Sequence, residues 1–283
     1  MVLSSFIITS RETLEAALVI GIVLTYLSRT GNPQYKKTVY YGIFFGILLS
    51  ILSAVLFTVF AGGFEGRAEE IFEGTTMLFA AVLLTTMILW MMKQNQVASK
   101  IEEKVATHVE KAIFNRTYAY GLFALIVVAV LREGIETVIF FGALNYSSGI
   151  SFIGATLGVI TAISIGYLFF VGTRKVNLKK FFSISSFILI LFAAGLVAHG
   201  IHEFQEAAVI PYVVKEVWDI NPAVAVGSIY PLMHENGLIG SFLKGLFGYN
   251  GNPSLLEVLF YTGYLAIIFS IYRKFDTKSS VKA

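Results

Sequence analysis

The 283-residue sequence contains no cysteine and few charged residues. The absence of cysteine excludes disulfide bonds, thiolate metal sites and cysteine nucleophiles, so any metal must be held by oxygen or nitrogen ligands. Charged residues make up 14% of the chain, compared with about 25% in an average soluble domain, and hydrophobic residues make up 56%. The net charge of +3 shows no nucleic-acid-binding character. A chain of this composition is expected to lie in a lipid bilayer.

Seven segments approach the length of about 20 apolar residues that a membrane span requires. They cover residues 3–28, 38–61, 71–92, 118–144, 151–172, 181–209 and 254–272. The first segment lacks the basic region and cleavage site of a signal peptide, so Leu3 onward is expected to be mature transmembrane helix. The sequence therefore predicts an all-α membrane protein with a single transmembrane domain.

Lysine and arginine are distributed unevenly between the connections. Sixteen of the 21 lie in 29–37, 93–117, 173–180 and the tail after residue 272, and three lie in the other connections. The positive-inside rule then places the N-terminus outside and the C-terminus in the cytoplasm of the cell membrane. The charged segment 93–117 is predicted to be a cytoplasmic helix. Segment 211–253 contains four of the five prolines and is predicted to form a structured external cap or interfacial helices.

The first and fourth spans share the motif Arg-Glu-x-x-Glu, at residues 11–15 and 132–136. The second and fifth spans each contain a Gly-x-x-x-Gly pair, Gly42/Gly46 and Gly154/Gly158, which permits close helix packing. Each half contains three spans, and because this number is odd the two halves cross the membrane in opposite directions. The halves, about 1–92 and 118–210, are therefore predicted to form an inverted repeat with a substrate site near the membrane midplane. Residues 254–272 add a seventh helix.

Each motif presents two glutamates and one arginine on one helix face, because residues three and four apart are neighbours there. The group contains Arg11, Glu12, Glu15, Arg132, Glu133 and Glu136. A charge at the bilayer centre costs at least about 2.5–3.5 kcal/mol, and one arginine per helix neutralises only one glutamate. A bound cation accounts for the surplus, and carboxylate oxygens suit hard cations such as Fe³⁺, Mn²⁺, Mg²⁺ or Ca²⁺. A purely structural set of ion pairs is the alternative.

Two further polar groups lie near the predicted outer surface. The first, at the outer end of span 3, contains Glu65, Glu69, Glu70 and Glu73, of which the first, second and fourth are spaced as one helical stripe. The second, at the end of span 6, contains His199, His202, Glu203 and Glu206 on one helix face. Each group has two interpretations: a solvated helix end, or a cation site. In the first group, such a site would collect cations at the external surface. In the second group, it would be a secondary metal site in addition to the one formed by the two motifs.

Together these motifs resemble the high-affinity iron permease family, which includes oxidase-coupled permeases of fungi and their bacterial and archaeal relatives. The resemblance covers nearly the whole chain. It rests on the two Arg-Glu-x-x-Glu motifs, the acidic run 65–74 and the run 248–254 before the last span. In the first motif, Thr13 stands where glycine is common in the family.

The resemblance implies seven spans and the import of iron, with ferric iron favoured. It implies that iron is the transported substrate, without an organic cofactor, and that Glu12, Glu15, Glu133 and Glu136 are its ligands. It also implies a separate partner chain, either an oxidase or an extracytoplasmic iron-binding protein. The sequence carries no information on oligomeric state.

Three other functions stay open at this stage. The same carboxylates suit another hard cation such as Mn²⁺. Paired glutamate and histidine are also compatible with an intramembrane hydrolase, although the duplication of the motif favours a transport site between two repeats over an enzyme. A structural or receptor protein that binds iron without transporting it is the third alternative.

Overall fold

The computed structural model describes residues 2–93, 117–171, 178–222 and 230–280, and these ranges contain helices but no strand. The α-helices are α1 Val2–Arg29, α2 Lys36–Ala61, α3 Arg67–Lys93, α4 Thr117–Ser147, α5 Phe152–Val171, α6 Leu178–Glu206, α7 Leu238–Phe247 and α8 Leu255–Ser280. A short 3₁₀ turn, Pro33–Tyr35, joins α1 to α2. Each predicted span coincides with one helix to within a few residues, except that α8 continues past the predicted end of the last span. The all-α prediction is confirmed.

Five of the described helices are long and apolar enough to cross a membrane. They cover Pro33–Ala61, Arg67–Trp90, Phe152–Phe170, Lys180–Glu206 and Leu255–Arg273. The helices α1 and α4 are 28 and 31 residues long, and each carries the three charges of its motif. Large apolar side chains such as Phe44 and Val59 of α2 point away from the protein. This outward apolar surface is the one a lipid-embedded, multi-pass protein requires.

The long helices pack in pairs. Helix α1 packs along α5, α2 along α4, and α3 along α6. The glycine pairs of α2 and α5 lie in the first two of these interfaces. A Cβ added to Gly46 would lie 2.7 Å from Cβ of Val130, and one added to Gly158 would overlap Oγ1 of Thr9. The helix backbones therefore approach closely only because these positions lack a side chain.

Within segment 211–253, residues 211–220 are exposed and lie in no helix, whereas the part near helix α7 packs against the helix bundle. Helix α7 ends at Gly248, whose backbone has a φ of +64°. This left-handed residue lies against Gly195 of α6, and Leu246 is buried in the core. The hydroxyl of Ser4 donates to the carbonyl oxygen of Gly245. The predicted cytoplasmic helix lies outside the described residues apart from the ends of 93–117.

Candidate cation site

The contact between α1 and α4 brings the two motifs face to face. Glu12, Glu133 and Glu136 each place one carboxylate oxygen within 4.8 Å of the other two. Glu12 is 2% exposed and Glu133 is 6% exposed. Among the described residues, this is the one group of three metal-binding side chains that comes so close. One ligand comes from α1 and two from α4, so the group exists only where the two helices pack.

Two of these carboxylates have oxygens without the hydrogen-bond donors that a buried acid normally has. Neither oxygen of Glu12 accepts a hydrogen bond from the described residues, and Oε2 of Glu133 accepts none either. A buried polar group left without a partner costs about 1–3 kcal/mol, and a charged group costs more. A hard cation bound between the carboxylates would supply the missing interaction, because such ions prefer oxygen ligands.

Glu15 has a different position from the other three glutamates. Its Oε1 lies 3.3 Å from Nε of Arg11, and its Oε2 lies 3.8 Å from Nη2 of Arg132. Glu15 therefore links α1 to α4 through both arginines and lies outside the group of three. Of the four glutamates predicted as ligands, the structure therefore clusters three, and Glu15 lies beside them between the two arginines.

The two arginines differ in their surroundings although they occupy the same motif position. Arg11 is completely buried, whereas 57% of the Arg132 side chain is exposed. Nη2 of Arg132 lies 2.8 Å from Oε1 of Glu133, and its Nε lies 3.3 Å from Oε1 of Glu136. Arg132 thus contacts two of the three clustered carboxylates as well as Glu15.

The predicted acidic stripe of span 3 is wrong in its first member. Glu65 precedes α3, which begins at Arg67. Gly66 adopts a φ of +57° between them, a left-handed conformation that glycine tolerates and that a continuing helix excludes. Glu69 and Glu73 still share one face of α3, with Glu69 exposed and Glu73 half-buried.

The predicted histidine group of span 6 does not converge on one point. Nδ1 of His199 lies 3.0 Å from the carbonyl oxygen of Gly195 in its own helix. The ring of His202 lies between two acids, with Nδ1 2.9 Å from Oε1 of Glu257 and Nε2 3.2 Å from Oε1 of Glu206. Glu203 faces α3 at the point where a Cβ on Gly74 would lie 3.1 Å from Cβ of Glu203. The two outer groups predicted separately are therefore neighbours.

Comparison with known proteins identifies the chain. Residues 2–275 match the Iron permease FTR1 family. The chain belongs to this family. It is 34% identical over 267 residues to the "Ferrous iron permease EfeU" of Yersinia pestis, a match that covers 92% of this chain and 89% of the relative. Proteins of the same name from Escherichia coli O6:H1 and Shigella sonnei are 30% identical over 263 residues, covering 92% of this chain and 91% of each relative. No solved structure matches the chain.

Membership in the iron permease family confirms the resemblance that the motifs predicted. It also identifies the protein as a membrane permease for iron transport. The sequence analysis nevertheless missed one buried acid of this permease. Glu257 of α8 is 1% exposed. It accepts hydrogen bonds from His202, from Nδ2 of Asn250 at 2.8 Å and from the backbone N–H of Ser254 at 3.0 Å. An acid inside the apolar span 254–272 is a signal that could have identified it.

Proposed function

We propose that this permease imports iron across the cytoplasmic membrane and binds it between Glu12, Glu133 and Glu136. The observation that carries the proposal is the group of three carboxylate oxygens within 4.8 Å of one another, in which the two oxygens of Glu12 have no hydrogen-bond donor among the described residues. Such oxygens are suitable ligands for a hard or borderline metal ion. The relatives named ferrous iron permeases support iron as the metal.

The charge of the site favours ferrous iron. Four glutamates and two arginines give the two motifs a formal charge of −2, which a divalent ion neutralises and a trivalent ion exceeds. Uncompensated charge inside a bilayer is costly. The family resemblance led to the expectation of ferric iron, and the hardness of the ligands leaves several cations open. Charge balance and the names of the relatives together favour the ferrous ion as substrate.

The proposed architecture is an inverted repeat of seven spans with the N-terminus outside. The packing of α1 with α5 and of α2 with α4 supports it, because exchanging the two halves converts one pair into the other. At about 1.5 Å per residue, Glu12 lies about 15 Å along α1 from its first residue. That depth is near the middle of a hydrocarbon layer about 30 Å thick. Iron would therefore bind between the two repeats, near the midplane.

The outer acids fit a supporting role in this scheme. Glu73 and Glu70 on α3 interact electrostatically with Glu203 on α6, and Glu69 interacts with Glu73. At the predicted external surface, these acids would raise the local concentration of a cation before it enters the membrane. A separate extracytoplasmic iron-binding protein would deliver ferrous iron to this surface, whereas an oxidase partner would supply ferric iron.

The test is iron uptake by the purified permease in proteoliposomes. Radioactive Fe²⁺ is supplied with a reductant, Fe³⁺ is supplied as a soluble chelate, and Mn²⁺ is added as competitor in a parallel series. We expect uptake of Fe²⁺ that excess Mn²⁺ reduces only weakly. Uptake of Mn²⁺ at a higher rate than Fe²⁺ would assign the permease to manganese, and uptake of Fe³⁺ alone would overturn the charge argument.

A further inference from the structure

Arg132 contacts two of the three carboxylates that are proposed to bind the transported cation. Its guanidinium group lies 2.8 Å from Oε1 of Glu133 and 3.3 Å from Oε1 of Glu136, and 3.8 Å from Oε2 of Glu15. Glu133 and Glu136 are two of the three clustered carboxylates. The guanidinium is a cation that these two carboxylates share.

A metal ion bound to Glu133 and Glu136 would weaken the ion pairs between these carboxylates and the guanidinium of Arg132. Two positive charges about 4 Å apart repel strongly, and the repulsion is larger in a medium of low dielectric constant than in water. Binding of a divalent ion at Glu12, Glu133 and Glu136 therefore favours movement of the Arg132 side chain away from them.

The structure gives Arg132 the freedom for this movement and denies it to Arg11. More than half of the Arg132 side chain is exposed, whereas Arg11 is completely buried beside Glu15. A long side chain that is half exposed can change rotamer without displacing packed neighbours. The matching arginines of the two motifs are thus suited to different roles, one fixed and one mobile.

We propose that Arg132 is a displaceable counter-ion that competes with iron for Glu133 and Glu136. It neutralises the empty site, moves away when iron binds, and returns to assist iron release. This inference rests on the proposed function, since it takes the three clustered carboxylates as the iron site. It assigns to Arg132 a positioning role that sets affinity and release, and the buried Arg11 holds Glu15.

The experiment measures Fe²⁺ binding and uptake by the Arg132→Gln permease. Binding is measured by calorimetry in lipid nanodiscs without oxygen, and uptake is measured in proteoliposomes. We expect the Kd for Fe²⁺ to fall by about tenfold, equivalent to about 1.4 kcal/mol, and the maximal uptake rate to fall as well because release slows. Arg29→Gln is the matched control, since it removes an exposed guanidinium at the end of α1, away from the outer acids. Both values should stay at the wild-type level in that control.

An unchanged or higher Kd in Arg132→Gln would overturn the inference, because Arg132 would then be organising the ligands instead of competing with the metal. Glu136→Gln, measured in parallel, separates this failure from failure of the proposed function. Loss of Fe²⁺ binding in Glu136→Gln together with no tightening in Arg132→Gln rejects only the role of Arg132. Wild-type binding in Glu136→Gln rejects the iron site itself.

Arg132→Lys provides a second test if Arg132→Gln does not reach the membrane. Lysine keeps the charge but cannot hold two carboxylates with one planar fork. We therefore expect Arg132→Lys to bind Fe²⁺ more tightly than the wild type, by a smaller factor than Arg132→Gln. A Kd equal to or above the wild-type value would overturn the inference by itself.

Discussion

Two buried glutamates of this permease illustrate opposite ways of placing an acid inside a protein. Glu257 and Glu12 are 1% and 2% exposed. Glu257 accepts three hydrogen bonds, from His202, Asn250 and the backbone of Ser254. Neither oxygen of Glu12 accepts one from the described residues. Equal burial with unequal hydrogen bonding distinguishes a carboxylate that stabilises the fold from one that is available to a ligand.

The free energies involved show why the difference in hydrogen bonding between Glu257 and Glu12 matters. A hydrogen bond to a charged group contributes about 1.5–3 kcal/mol, and an unpaired buried charge costs more than an unpaired neutral group. The surroundings of Glu257 offset its burial within the protein itself. The surroundings of Glu12 contain two further carboxylates within 4.8 Å, which increases the cost of its charge. Binding of a substrate cation, as proposed, would offset that cost.

The largest expected effect is loss of transport in Glu12→Ala or Glu136→Ala. Each change removes one of three ligands, and loss of even an outer-sphere partner typically weakens metal affinity by about 10–100-fold. We expect iron uptake in proteoliposomes to fall by more than about 100-fold, with thermal stability equal to or above that of the wild type because charge repulsion is relieved.

Glu216→Ala is the control for these two variants, since Glu216 is exposed and lies in the segment between α6 and α7. It should transport iron at the wild-type rate. Wild-type uptake in Glu12→Ala or Glu136→Ala, at equal amounts of folded protein, would remove the basis for treating unpaired carboxylates as the ligands.

Glu257→Ala should have the opposite effect to Glu12→Ala: it should lower stability and leave iron binding intact. Removing one partner of a buried charged pair typically costs about 3–5 kcal/mol, and His202 and Asn250 would both lose an acceptor. We expect a clear drop in the thermal unfolding midpoint in detergent, while iron binding per folded molecule is retained. An unchanged midpoint together with lost iron binding would mean that Glu257 belongs to the transport path.

The helices of this permease were predictable because their signal is local. Each long apolar run is bounded by charges or turns, so the seven predicted spans coincide with helices to within a few residues at most of their ends. The clustering of Glu12 with Glu133 and Glu136 could also be predicted from the sequence, because the motif recurs in two helices that the inverted repeat is expected to place side by side.

The remaining features depend on tertiary contacts, which the spacing of residues along the sequence does not reveal. Glu15 pairs with Arg132 because α1 and α4 cross at that level, so the sequence could not separate it from the three clustered carboxylates. Glu257 pairs with His202 across 55 positions. The position of Glu65 is different, since Gly66 directly after it was a local signal for a helix that starts later.

Glu69→Gln/Glu73→Gln should have a smaller effect than the variants of the buried site. Glu69 is exposed and Glu73 is half-buried, so water screens their charge and a bound cation exchanges readily. We expect a rise of a few-fold in the half-saturating iron concentration with little change in maximal rate. An uptake curve over a wide range of iron concentrations measures both. A lower maximal rate at unchanged half-saturation would place these acids in translocation, and no change at any concentration would favour a simple solvated helix end.

The smallest expected effect concerns Glu235, a second acid with a complete set of donors. Its Oε2 accepts from Nζ of Lys244 at 2.7 Å, and its Oε1 accepts from Asn221 at 3.0 Å and from the backbone N–H of Gly251 at 2.9 Å. Burial alone would raise the pKa of Glu235, but the hydrogen bonds from Lys244, Gly251 and Asn221 outweigh burial and lower this pKa below its usual value. Like Glu257, Glu235 should therefore stabilise the fold and take no part in iron binding.

Because the folded-state pKa of Glu235 is lowered, its contribution to stability is present above the unfolded-state pKa of about 4.3. The contribution is lost as the pH falls through the folded-state pKa. Glu235→Gln should therefore lower the free energy of unfolding at pH 7 by about 1 kcal/mol, and its difference from the wild type should shrink as the pH falls below about 4. Thermal unfolding of both proteins in detergent across this pH range measures the difference, with Glu216→Gln as the exposed control. A difference that is constant with pH would show that the charge of Glu235 contributes nothing, and altered iron affinity at pH 7 would contradict the separation of structural from ligand-binding acids.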